Sequence, residues 1–206
     1  MLSKINLHHQ DLPDNIFYNL EKASSIAIDT ETMGLNIKNN RLCLVQISTG
    51  DNTSHLVQIN QNYQCPNLKK LLSNENICFI FHFARFDIAT LQYHLNIKMN
   101  NFFCTKIASK LVRTYTDHHG LKTLCEEIVG IEMSKKQQSS DWGSEKLSQK
   151  QLDYAASDVL YLHKIKEKLE NMLNREGKML LFQQALTFLP TRIELDLQGY
   201  GDILSH

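Results

Sequence analysis

Two apolar runs in this chain each lead into acid, and that arrangement restricts the fold more than any other feature. Ile26-Ala27-Ile28 passes into Asp29-Thr30-Glu31, and Phe79-Ile80-Phe81-His82-Phe83 leads through Ala84-Arg85-Phe86 to Asp87. Apolar runs this short suit central strands covered on both faces of a sheet. Residues two apart on a strand leave on the same face, so Asp29 and Glu31 share one side while Ile28 and Thr30 take the other. An acid beside such a core is costly unless it is paired or bound to a metal ion.

A third acidic motif follows in Tyr154-Ala155-Ala156-Ser157-Asp158, where tyrosine and aspartate lie four apart and stack on one face of a helix. Leu152, Ala155, Ala156, Val159 and Leu162 give that helix an apolar stripe. Each motif alone has a plain structural reading: a solvated strand end, a helix N-terminal acid favoured by the dipole, a surface Tyr–Asp pair. Together they arrive in the order and on the element types needed to converge on one point. Hard divalent cations such as Mg²⁺ and Mn²⁺ are held by carboxylate oxygens, and pairs of them run in-line displacement at phosphorus. The chain reads as a phosphodiesterase.

The surrounding pattern predicts an α/β domain. Strands are expected over 24–31, 41–49 and 54–59, joined by turns at Asn39-Asn40 and Gly50-Asp51-Asn52 into an antiparallel meander. A short helix over 66–73 opens at Pro66. A strand at 77–82, a helix at 85–94, a short strand at 101–104 and helices at 105–113 and 121–129 come next, the last closed by Gly130. The polar stretch 132–145 reads as loop. Ser148 and Gln151 form a capping box that starts a long helix to about 173. A further helix spans 178–188, and Pro190 starts a last short one. Strands followed by alternating helices and strands make a mixed sheet with helices on both faces.

Composition excludes several classes. The 206 residues suffice for one domain with a core, and 42% hydrophobic with 21% charged residues describes a globular chain. No run approaches the roughly 18 apolar residues of a membrane span, and Met1–Asn6 lacks the apolar core of a signal peptide. A cytoplasmic location is expected. The five cysteines are dispersed without a C-x-x-C pair, so they read as reduced core residues rather than zinc ligands or redox centres. Net charge is zero, which argues against a long electrostatic grip on nucleic acid. A site holding a few nucleotides fits better.

These motifs resemble the 3′–5′ exonucleases named for Asp, Glu, Asp, Asp with a tyrosine in the last motif. The resemblance covers nearly the whole chain. It is nearest to ribonuclease D, through Ser140-Asp141-Trp142, the stretch Leu147–Leu162 and the tail from Leu195, and weaker to the exonuclease domain of the Werner syndrome helicase. The histidine sister group carries His five positions before the last aspartate, where this chain has Asp153. The resemblance implies a ribonuclease H-like fold with a five-stranded mixed sheet. It implies a single exonuclease domain over residues 1–206, in the short bacterial form without a C-terminal helical RNA-binding domain. It also implies that Asp29, Glu31 and Asp158 hold one metal ion. Asp29 would bridge to a second ion shared with Asp87, and Tyr154 would hydrogen-bond the attacking water. The expected substrate is a single-stranded RNA 3′ end, processed or turned over to nucleoside 5′-monophosphates with two Mg²⁺ or Mn²⁺ ions.

Substrate contacts implied by the same resemblance are Leu35 against the terminal base and the Thr32 amide at the 3′-hydroxyl. Lys135, Lys136, Gln137 and Gln138 offer phosphate partners beside Trp142, which either stacks on a base or packs under the long helix. Arg85 either touches phosphate or pairs with an acid. His82 is expected to be a core histidine with a backbone partner, and His118 and His119 surface residues. DNA 3′ ends are the alternative substrate, and no residue discloses a 2′-hydroxyl contact that would decide. A catalytically inactive nucleic-acid-binding domain would be expected to have lost acids that are all present here. Zero net charge and no added RNA-binding domain lead to an expectation of distributive cleavage.

Overall fold

The computed structural model describes residues 3–133 and 137–205. Lys135 and Lys136 lie outside the described residues. A six-stranded sheet is built from β1 (Lys4–His9), β2 (Ser25–Thr32), β3 (Leu42–Ser48), β4 (Thr53–Gln58), β5 (Cys78–Phe81) and β6 (Phe102–Cys104), in the order β1-β4-β3-β2-β5-β6. The meander β2–β3–β4 is antiparallel, whereas β1 joins β4, and β5 and β6 join β2, in parallel.

The sixth strand corrects the expectation of five. β1 is an edge strand whose Ile5 and Leu7 pack on the sheet from one side, while its flanks stay polar and exposed. A six-residue alternation with two apolar residues is too weak a local signal to stand without its partner β4. Helix α1 (Asp14–Leu20) was likewise not anticipated; it is held by Phe17 and Leu20.

The alternation of β2 divides the core. Ile26 and Ile28 face a cluster with α2 (Pro66–Leu72) and α3 (Ala84–Leu95). Ala27 faces the other side with α4 (Thr105–Val112) and the later helices. Beyond α4, α5 (Leu121–Leu124) continues as a π-turn over Cys125–Val129 and closes at Gly130, φ +77°.

Two further differences come from tertiary packing. The long helix expected from Ser148 is capped as read, with Gln151 Oε1 accepting from the Ser148 amide at 3.0 Å. It then breaks at Tyr161 (φ −104°, ψ −5°) into α6 (Gln149–Leu160) and α7 (Leu162–Arg175). α6 lies over β2, β3 and β4, while α7 packs on α4 and β5, so the axis must turn between them. Conversely, Pro190 sits inside one helix, α8 (Met179–Gln198). Burial of Leu189 and Ile193 on either side of the proline holds the turns together despite its missing amide donor. All five cysteines are free. No helix among the described residues is long and apolar enough to cross a membrane.

Candidate active site

The acids arrive from three elements. Asp29 and Glu31 project from β2 on the face covered by α6, with a register shift between Glu31 and Thr32 in the ladder with β3. Asp158 comes down from α6 and is buried. Oxygens of Asp29, Glu31 and Asp158 all lie within 4.8 Å of one another. Asp87, on the first turn of α3, approaches from the opposite side of β2. There Thr30 Oγ1 donates to its Oδ1 at 2.7 Å.

Burial dominates the electrostatics. It pushes Asp29 up to about 7 against the Thr30 backbone, and it pushes Glu31 to about 10 with repulsion from Asp29, Asp158 and Asp87 added. Asp87 and Asp158 are raised well above the carboxylate range, by burial first and then by Asp29. Tyr154 is raised too, by burial and the carboxylates facing it, and its hydroxyl bonds Asp158. Among the described residues no lysine or arginine forms an ion pair with any of the four acids. Neutral donors orient them instead: Thr30 on Asp87, Tyr154 on Asp158, and Gln46 on Asp29 through Nε2 to Oδ2 at 3.2 Å. Such a set of concentrated, uncompensated hard oxygens is suited to divalent cations.

Gln46 and Thr30 were missed from sequence. A glutamine in the middle of the apolar run Leu42-Cys43-Leu44-Val45 and Ile47 was the available signal, because an uncharged polar side chain there needs a partner. The remaining candidates divide. Trp142 is 2% exposed and packs 6.1 Å from the Tyr154 ring, so it supports the site from beneath and has no surface to offer a base. Arg85 is held by Asp196 through two bonds of 2.5 and 2.7 Å, which resolves its choice in favour of the acid. Thr32 Oγ1 donates to Gly34 O at 2.7 Å, tightening the turn that presents Leu35, which is 85% exposed. Gln137 accepts from Ser140 Oγ at 2.7 Å within its own turn. His82 is half-buried; its Nδ1 meets a side chain, Thr105 Oγ1 at 2.9 Å, rather than a backbone group. His119 Nδ1 contacts Ser109 Oγ at 2.9 Å.

A family model described as 3′–5′ exonuclease matches residues 5–174. The chain belongs to the 3′–5′ exonuclease family. Among curated relatives, DNA polymerase I of Aquifex aeolicus is 35% identical over 155 residues, 75% of this chain and 25% of its own length. Ribonuclease D of Granulibacter bethesdensis is 28% identical over 170 residues, 82% of this chain and 43% of its own. The chain therefore spans less than half the length of these relatives. The match to a solved nuclease is more complete. NrnC of Brucella melitensis is 51% identical, covers 98% of both chains and superposes with a TM-score of 0.93. Its structures include one with bound Mg²⁺ and one bound to pGG.

Proposed function

We propose that this chain hydrolyses single-stranded RNA from the 3′ end, releasing nucleoside 5′-monophosphates, with two Mg²⁺ or Mn²⁺ ions. The observation that carries this reading is the convergence of Asp29, Glu31 and Asp158 within 4.8 Å, with no lysine or arginine ion-paired to them among the described residues. In this reading those three acids hold one ion, and Asp87, oriented by Thr30, shares the second with Asp29. When bound, the ions supply Lewis acidity, acidifying water and stabilising charge on the leaving oxygen.

Tyr154 keeps its proton at neutral pH, since burial and the neighbouring carboxylates raise it further from its ordinary value near 10. It therefore orients the attacking water by hydrogen bonding and does not serve as the base. The water oxygen bonds to the terminal phosphate as the P–O3′ bond breaks. The attacking water gives up one proton to solvent, and the leaving 3′ oxygen takes one from solvent to become the 3′-hydroxyl of the shortened strand.

RNA is favoured by ribonuclease D among the relatives and by pGG in the Brucella melitensis structure. The DNA polymerase I relative supports a second reading in which DNA 3′ ends are cut. Parallel digestion of matched RNA and DNA oligonucleotides, with and without Mn²⁺, tests both. Mononucleotide release from RNA that requires the metal is expected. Faster release from DNA would replace the first reading with the second.

A further inference from the structure

Phe83 departs from ordinary packing in three respects. Its backbone lies in the left-handed region at φ 74°, ψ 48°, where a side chain with a Cβ is strained and glycine is not. Its ring is 41% exposed and belongs to none of the three buried clusters. Lys106 Nζ stands 4.2 Å from the ring centroid, holding a cation against one face. Strain and exposed aromatic surface both oppose folding, so their coincidence at one residue points to a role in binding.

The surroundings name the ligand chemistry. Phe83 caps α3 four residues before Asp87, and it lines a cavity of about 460 Å³ that Leu35 also lines. Leu35 follows Glu31 by four residues, so both apolar groups lie just beyond the ends of elements that carry the acids, Leu35 after β2 and Phe83 before α3. Lys38 lines the same cavity, whereas Arg85 is committed to Asp196. A flat ring attached to an anionic backbone matches an aromatic platform with lysines beside it.

We propose that Phe83 is a stacking platform for a nucleobase of the bound strand, working with exposed Leu35 across the cavity. This rests on the exonuclease reading above. It concerns a ring that the sequence treats only as part of an apolar run.

The test uses the full chain, with Ca²⁺ in place of Mg²⁺, and calorimetric titration with two probes. One is pGG; the other is the same dinucleotide backbone without bases. Phe83→Gly removes the ring while suiting the left-handed backbone, and its melting midpoint is expected within about 4 °C of wild type. Its pGG affinity is expected to fall roughly five- to hundredfold, the range of a lost base stack. Phe83→Tyr keeps a ring and stays near wild type. The abasic probe binds wild type and Phe83→Gly alike. If Phe83→Gly melts early, Phe83→Leu makes the same comparison with the ring gone and bulk retained. Unchanged pGG affinity, or an equal loss with both probes, overturns the stack alone. Failure of the wild type to bind pGG overturns the exonuclease reading, and the stack with it.

Discussion

Gln46 reaches Asp29 directly across the β2–β3 ladder, with Nε2 donating to Oδ2 at 3.2 Å. The glutamine is 0% exposed, and its Oε1 is buried without a partner. An orphaned buried acceptor costs about 1–3 kcal/mol, so this residue orients the carboxylate at some expense to stability.

Replacing it separates those two effects. Gln46→Met retains the bulk and removes both polar atoms. The metal concentration for half-maximal stabilisation, read by thermal melting with Mn²⁺, is expected to rise about 10–100-fold, as for other ligand-orienting residues. The metal-free melting midpoint is expected to equal or exceed that of wild type.

Crowded like charges imply a second split between stability and activity. Asp29→Asn or Asp158→Asn replaces a buried ionisable carboxyl by a neutral amide in a group whose members raise one another. Without metal, each variant is expected to melt a few degrees higher, about 1–2 kcal/mol. Stabilisation by Mn²⁺ should vanish, and RNA digestion should fall at least about a thousandfold. Wild-type digestion rates in either variant would show that the chemistry lies elsewhere.

His82 makes folding sensitive to acid. Thr105 Oγ1 spends its proton on Phe81 O at 3.1 Å, so His82 Nδ1 donates to Thr105. Burial, aided by Lys106, pushes His82 down to about 3. The folded state thus resists a proton that the unfolded chain accepts near 6.5. Its contribution is complete above pH 6.5 and is lost as pH falls from there toward 3. Urea titrations should show His82→Asn losing on the order of 2 kcal/mol less than wild type over that interval.

Arg113 locks the segment after α4. Its buried guanidinium donates to Ser109 Oγ at 3.2 Å and His118 O at 2.9 Å, and it pairs with Glu127. Arg113→Ala is expected to cost about 3–5 kcal/mol by urea denaturation, since it strips partners from buried groups. Arg113→Lys should recover only part of this, because one ammonium cannot reproduce the planar fork.

Local patterns carried a large part of the fold and the site. The β2–β3–β4 meander, the strand before Asp87, the Ser148–Gln151 cap and the Tyr154–Asp158 spacing are all relations between neighbouring residues. Backbone periodicity expresses such relations without help from the rest of the chain. The grouping of Asp29, Glu31 and Asp158 was legible for that reason. Tertiary structure alone decided β1 as a sixth strand, the break at Tyr161 and the unbroken path of α8 through Pro190. It also decided the partners that orient or remove candidates: Gln46 for Asp29, Thr30 for Asp87 and Asp196 for Arg85 lie 17, 57 and 111 residues apart. The sequence determined which groups were candidates for metal and for phosphate. Long-range packing determined which were free to do so, because burial and hydrogen-bond partners exist only once distant segments meet.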